Sequence, residues 1–318
     1  MIGEVAARRH QWHDEVAAAL GPLGVVAATE PAGVRLRSRA GTGLAIVDIP
    51  GRWGTGCLWA RDAPRRDLRA RLAESGHDVL TVRLRPAARD GAADEGDEPD
   101  PALAAVRTRD LLDDISAAAA LARDRLRGAP LVLCGYSIGA SLAFLAAARV
   151  GADALVVLDG GLPAVAGFGR GDEAPHVENP GRHPRSDRQA LRALRSDPDG
   201  TAAIDGDRVR WRLGHNRWWP AAPVDEIRRR SPAGLAVNER LRAFTGAILC
   251  VAATGREPLE GHRTVRTAEQ TRATRIELHH AEGLSHEDVA CGDDPAARAL
   301  AGAVADFVAT VRPARKGL

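Results

Sequence analysis

Residues 131–150 read LVLCGYSIGASLAFLAAARV, and they carry the strongest indication of how the chain folds. A short apolar run turns through Gly135-Tyr136-Ser137-Ile138-Gly139 and continues as a helix of small residues. The two glycines of the turn let strand and helix approach each other without a Cβ clash. Such a turn holds its central serine in strained geometry at the carboxyl edge of a sheet, beside a helix N-terminus. The stretch predicts an α/β architecture with Ser137 as a nucleophile, the alternative being a tight turn with an inert serine.

Short apolar runs alternate with longer amphipathic stretches along most of the chain, which is typical of a mostly parallel sheet covered by helices. Strands are expected at 34–37, 44–49, 78–84, 131–134, 154–158, 247–252 and 274–280. The first of these alternates apolar and charged residues, so it is expected at an edge of the sheet. Helices are expected at about 3–20, 62–75, 102–127, 138–150, 264–272 and 294–311.

The alternation stops between residues 161 and 243, where the chain is polar and rich in Arg, Pro and Gly. It resumes afterwards with another strand–helix unit. This arrangement predicts a core formed by residues 1–160 and 244–318, with 161–243 as a cap or lid inserted after the sixth strand. The cap would contain three of the six tryptophans, Trp211, Trp218 and Trp219. These three side chains, together with Tyr136 of the turn, are expected to bind the substrate. The alternative is that the tryptophans only anchor the cap.

Composition excludes several classes of protein. The 318 residues are 45% hydrophobic and 27% charged, which is ordinary for a globular protein and excludes disorder and collagen. A formal net charge of +2 gives no global field to attract nucleic acid or an anionic membrane. No stretch reaches the roughly 20 apolar residues of a membrane helix, and no secretory signal is visible, so a cytoplasmic protein is expected. The oligomeric state is left open.

The cysteines and the histidine spacing predict no metal site. Cys57, Cys134, Cys250 and Cys291 lie far apart and form no CxxC pair. Cys134 and Cys250 stand inside apolar runs, so they are expected to be small buried hydrophobic residues.

A serine hydroxyl needs a base to take its proton, and His286 is the expected base. It lies in a loop after the last expected strand, where it can reach the same sheet edge as Ser137. His279 and His280 lie inside that strand and are expected to be structural, although either could line the pocket.

A carboxylate should hold the tautomer of that histidine, and more than one is available. Asp159 ends the first strand after the turn that carries Ser137, and Glu257 ends the second. Glu257 is preferred, Asp159 is the alternative, and Glu260 is a third candidate. The oxyanion of the reaction would be held by the Ile138 N–H and by an amide of the glycine-rich loop after strand 44–49, from Arg52 or Trp53.

The turn GYSIG, the order serine, acid, histidine and the insertion between strands six and seven resemble the α/β-hydrolase superfamily. The resemblance implies a mostly parallel eight-stranded sheet, a covalent acyl-serine intermediate and no cofactor. In that superfamily the acid usually follows the seventh strand, which favours Glu257. The chain departs from it at the oxyanion loop, which carries Pro50-Gly51 where members commonly have His-Gly.

The expected activity is hydrolysis of a carboxylic ester or thioester of a small to medium apolar substrate through an acyl-Ser137 intermediate. The same residues could instead support acyl transfer or amide hydrolysis. A non-catalytic binding module on the same fold is the alternative of a different class. A small-molecule substrate is the only partner expected.

Overall fold

Eight strands form one sheet within the residues that the computed structural model describes. These residues are 24–39, 43–51, 68–82, 84, 105–163, 165, 223, 226–227, 235–254, 258–284, 286, 289 and 295–312. The strands are β1 Val25–Glu30, β2 Gly33–Ser38, β3 Ala45–Ile49, β4 Asp78–Val82, β5 Leu131–Tyr136, β6 Ala154–Leu158, β7 Ala247–Ala253 and β8 Arg275–Ala281.

The sheet has the order β1-β2-β4-β3-β5-β6-β7-β8. β2 pairs antiparallel with both β1 and β4, and all the other pairs are parallel. The mostly parallel eight-stranded sheet implied by the resemblance is therefore confirmed.

Helices cover both faces of the sheet. They are α1 Leu68–Glu74, α2 Thr108–Arg125, α3 Ile138–Val150, α4 Val237–Arg242, α5 Pro258–Ala268 and α6 Pro295–Thr310. Side chains of α1 and α6 join one apolar cluster, and side chains of α2, α3 and α4 join the other. Successive residues of β5 alternate between the two clusters, because side chains of a strand point to opposite faces of a sheet.

The structure differs from the sequence analysis at three elements. The strand β1 was not among the strands expected from the sequence. The strand expected at an edge, β2, lies inside the sheet because β1 covers it. Arg35 of β2 is tolerated there because its Nη2 lies 2.8 Å from the Asp78 carboxylate of β4. The helix expected at 264–272 is α5, which begins at Pro258 and ends at Ala268. Proline is favoured in the first turn of a helix, since its fixed φ suits that position.

The carboxyl ends of the central parallel strands meet at one edge. Tyr136, the last residue of β5, pairs with Leu158 of β6, and Leu158 pairs with Val251 of β7. At the end of β3, Ile49 pairs with Gly135. The segments that follow these strands therefore lie side by side, as expected of ligand sites in open parallel sheets.

A buried ion pair lies beneath the end of β3. Nη1 of Arg69, on α1, is 3.4 Å from a carboxylate oxygen of Asp48 and donates to the Thr81 hydroxyl at 3.2 Å. Arg69 and Asp48 are only 5% and 7% exposed, so each charge depends on protein groups rather than water.

We expect Arg69→Met to lower the free energy of unfolding by about 3 kcal/mol, because it removes the Arg69 guanidinium from beside the buried Asp48 charge. The double variant Asp48→Leu/Arg69→Met should recover part of this loss, since both charges are then removed. Urea unfolding of the two variants and the wild type measures both effects. An Arg69→Met variant as stable as the wild type would contradict a stabilising role for this ion pair.

Candidate active site

Ser137 lies at the tip of a strained turn between β5 and α3. Its φ of 56° and ψ of −122° lie in a region that residues with a Cβ rarely adopt. The Ser137 amide donates to the Leu158 carbonyl of β6 at 3.0 Å. The turn is therefore tied to the neighbouring strand, and the serine stands at the carboxyl edge of the sheet.

Glycines make this turn sterically possible. A Cβ on Gly139 would overlap the Ile49 and Pro50 carbonyl oxygens, and a Cβ on Gly135 would overlap the backbone of Gly139. These are backbone atoms of packed elements, so they cannot move aside as a flexible side chain can. The two glycines singled out in the sequence are thus required by close approach of α3 to β3 and β5.

His286 contacts the serine directly. Its Nε2 lies 3.0 Å from the Ser137 Oγ, and its Nδ1 lies 2.6 Å from Oδ2 of Asp159. The ring also packs against Tyr136, with ring centroids 4.9 Å apart. With Nδ1 donating its proton to the carboxylate, Nε2 carries a lone pair that can accept the serine proton.

Asp159 follows β6 and is fully buried. Its amide donates to the Val251 carbonyl at 2.9 Å, and its Oδ1 accepts from the Ala253 amide at 3.1 Å. One carboxylate oxygen is thus held by β7 while the other faces His286. Like Ser137, Asp159 has a positive φ, 45°, which Asp and Asn tolerate better than most residues.

The carboxylate beside His286 is thus the one that sequence analysis ranked second. Glu257, the preferred acid, lies outside the described residues, and the backbone of Glu260 belongs to α5. The signal that favours Asp159 was already present, since it follows the strand next along the chain from Ser137. The preference for Glu257 was also supported by the resemblance, in which the acid usually follows the seventh strand.

Two backbone segments frame the space in front of Ser137. Ile138 is the first residue of α3, so its N–H has no acceptor within the helix. Gly51 lies against the turn, and a Cβ there would come within 2.7 Å of the Tyr136 ring. Arg52 and Trp53, the expected second oxyanion donors, follow Gly51 directly but lie outside the described residues, as do Trp211, Trp218 and Trp219.

The loop that carries His286 is held by the Thr254 hydroxyl, which no motif in the sequence indicated. Thr254 Oγ1, just after β7, donates to the Ala281 carbonyl at 3.3 Å and accepts from the Gly283 amide at 3.3 Å.

His279 and His280 lie in β8. Burial, and then the charge of His280, lowers the pKa of His279. Of the three histidines considered as the base, His286 is the one placed against Ser137.

No cluster of three metal-binding side chains occurs among the residues that the structure describes. Cys134 and Cys250 are buried thiols in β5 and β7, as expected. Burial, and then the charge of Glu269, raises the pKa of Cys250 to about 12, so its thiol stays protonated.

Across the described helices, none is long and apolar enough to cross a membrane.

Comparison with known proteins gives matches at the level of structure. No protein-family model and no curated protein matches the sequence. The structure is similar to Cfl2 of Burkholderia cenocepacia, with a TM-score of 0.56 and 16% identity over 89% of this chain and 95% of the other. It is also similar to the RedJ thioesterase of prodiginine biosynthesis in Streptomyces coelicolor, with a TM-score of 0.53 and 19% identity over 89% and 90%.

A third similar structure comes from work on LipS and LipT, two metagenome-derived lipolytic enzymes. Its TM-score is 0.51, with 18% identity over 89% of this chain and 99% of the other. At these identities the likeness concerns the fold, and it extends over nearly the full length of each protein. Together with the strand order and the turn at Ser137, it identifies the architecture: the chain has the α/β-hydrolase fold.

Proposed function

We propose that the chain is a serine hydrolase that cleaves a carboxylic ester or thioester of a small to medium apolar substrate. The observation that carries the proposal is the continuous contact from Ser137 Oγ to His286 Nε2, at 3.0 Å, and from His286 Nδ1 to Asp159 Oδ2, at 2.6 Å. These distances are those of a nucleophile, its base and the group that orients the base. Lipolytic enzymes and a thioesterase among the similar structures support the substrate class.

Acylation begins when the Ser137 hydroxyl attacks the carbonyl carbon and His286 Nε2 takes the hydroxyl proton. The buried Asp159 carboxylate accepts from Nδ1 and stabilises the imidazolium that forms. The carbonyl oxygen becomes an oxyanion, for which the Ile138 N–H is the first donor and an amide of Arg52 or Trp53 the second. His286 then gives its proton to the departing alcohol or thiol, which leaves an acyl group on Ser137.

Deacylation repeats the same steps with water as the nucleophile. His286 takes a proton from the water as it attacks the acyl carbon, and returns that proton to Ser137 Oγ as the acid product leaves. The enzyme is restored without a redox change. If an alcohol or amine reached the acyl group before water, the same residues would carry out acyl transfer.

We further propose that residues 161–243 form a cap over this site, with Tyr136, Trp211, Trp218 and Trp219 around the acyl group. Two described points of this segment dock on the start of α2, which supports an attached cap. Glu226 Oε2 accepts from the Thr108 amide at 2.8 Å, and the Pro223 carbonyl lies 3.4 Å from the Thr108 hydroxyl. The far end of the segment, α4, packs on the α3 side of the sheet.

Labelling with a fluorophosphonate probe, read by intact mass, tests the proposed activity. We expect one adduct on the wild type and none on Ser137→Ala or His286→Ala, because the probe requires a serine activated by a base. Esters and thioesters of increasing acyl length then define the substrate class, and product analysis with an added alcohol detects acyl transfer. A folded wild type without an adduct would contradict the proposal and favour a binding module.

A further inference from the structure

We propose that Thr264 is a positioning residue for the candidate active site: its hydroxyl holds the Gly160 peptide and thereby the Asp159 carboxylate against His286. The inference rests on the proposed function, since Asp159 matters to catalysis only if His286 acts as the base. Nothing in the sequence analysis singled out Thr264, which lies 105 positions after Asp159 on α5.

Both polar groups of the residue after Asp159 bind one hydroxyl. The Gly160 amide donates to Thr264 Oγ1 at 2.9 Å, and Thr264 Oγ1 donates to the Gly160 carbonyl at 2.9 Å. A hydroxyl can both donate and accept, whereas a methyl group of the same size can do neither. Thr264 is fully buried, so water is not at hand to replace these bonds.

Gly160 lies between this hydroxyl and the backbone of both Asp159 and Ser137. It follows Asp159 directly, and a Cβ at Gly160 would overlap the Ser137 carbonyl oxygen. A shift of the Gly160 peptide would therefore press on the backbone of Ser137 or pull on that of Asp159. Because Asp159 has a positive φ, its conformation depends on such restraints from its surroundings.

Two further hydroxyls hold the next residues in the same way. Ser141 Oγ of α3 donates to the Gly161 carbonyl at 2.5 Å, and Thr267 Oγ1 of α5 accepts from the Leu162 amide at 2.9 Å. Thr264 and Thr267 are three residues apart, so they lie on one face of the helix. Threonine is an ordinary to poor helix former, so two buried threonines on one face are better explained by these contacts than by helix propensity.

The test compares variants that remove or keep the Thr264 hydroxyl. Thr264→Val keeps the shape of the side chain and loses the hydroxyl, and Thr264→Ser keeps the hydroxyl. Thr271→Val is the matched control: Thr271 Oγ1 also donates to a carbonyl, that of Ala268, and accepts from an amide, that of Ala273. Thr271 lies just after α5, and neither of these two hydrogen bonds involves Asp159 or Gly160.

The first readout is kcat and KM for p-nitrophenyl butyrate. We expect Thr264→Val to lower kcat by about 10- to 100-fold, the range for a partner that orients a reacting group, with KM little changed. Thr264→Ser should restore kcat, and Thr271→Val should leave it at the wild-type value.

The second readout is the low-field proton NMR signal of the His286 Nδ1–H shared with Asp159, assigned by its loss in His286→Ala. We expect this signal to weaken or move upfield in Thr264→Val and to stay unchanged in Thr264→Ser and Thr271→Val. If Thr264→Val does not fold, Thr264→Ala takes its place in the same comparison with Thr264→Ser.

The inference is overturned if the valine variant keeps wild-type kcat and an unchanged low-field signal, or if Thr271→Val loses as much of either. Failure of the proposed function is distinguishable from this. A wild type that takes no fluorophosphonate adduct at Ser137 refutes the hydrolase, whereas the NMR comparison still decides whether Thr264 places Asp159 against His286.

Discussion

Asp159→Asn is expected to lower kcat for p-nitrophenyl ester hydrolysis by about 10⁴-fold while the fold is kept. The reason lies in how the carboxylate is held. The Ala253 amide donates to Oδ1, so an asparagine would keep its carbonyl oxygen there and turn its NH₂ group toward His286. That group can only donate, which forces Nδ1 to accept and places the ring proton on Nε2. The ring then cannot take the Ser137 proton.

Glu257→Gln is the contrasting variant for the same measurement. Because Asp159 already occupies the position 2.6 Å from Nδ1, we expect kcat of Glu257→Gln to match the wild type. Asparagine tolerates the positive φ of Asp159, so thermal unfolding should show both variants folded. A large loss in Glu257→Gln with little loss in Asp159→Asn would show that Glu257 is the catalytic acid instead.

Ser137→Gly is expected to abolish hydrolysis and, at the same time, to make the protein more stable. Removing the nucleophile of a triad costs about 10⁴- to 10⁶-fold in kcat. Removing the Cβ also relieves the strain of a φ of 56° and a ψ of −122°, which costs a residue other than glycine about 1–3 kcal/mol. The greater freedom of glycine in the unfolded chain offsets about 0.4–1 kcal/mol of this gain.

Ser137→Ala is the matched control, because it removes the same hydroxyl and keeps the Cβ. Both variants should be inactive, yet urea unfolding should find Ser137→Gly more stable than Ser137→Ala by about 1 kcal/mol. A Ser137→Gly variant less stable than Ser137→Ala by about 0.4–1 kcal/mol would mean that the turn stores no strain, because only the unfolded-state freedom of glycine would then separate the two variants.

Much of the fold could be predicted from the sequence because its signals are local. The apolar run, the two glycines and the small-residue helix around Ser137 predicted a strand, a turn and a helix, observed as β5 and α3. The alternation of short apolar runs with longer amphipathic stretches predicted six of the other strands. β1 was missed, and β2 was assigned to an edge because it alternates apolar and charged residues. The ion pair that lets Arg35 lie inside the sheet joins it to Asp78, far away in the chain.

The residues that meet at Ser137 were only partly predictable. Position in the chain was enough to select His286, since a loop after the last strand must reach the carboxyl edge of the sheet. It was not enough to choose between Asp159 and Glu257, because both follow strands that end at that edge.

Neighbouring residues were thus sufficient to predict the turn at Ser137, the histidine expected as the base and the alternation of strands and helices. Which carboxylate faces His286, 127 positions away, and which hydroxyl holds the peptide after it depend on how distant segments of the chain pack together. The reason is that hydrogen bonds require placement within a few tenths of an ångström. That placement comes from strand order, register and helix packing, which no short stretch of sequence contains.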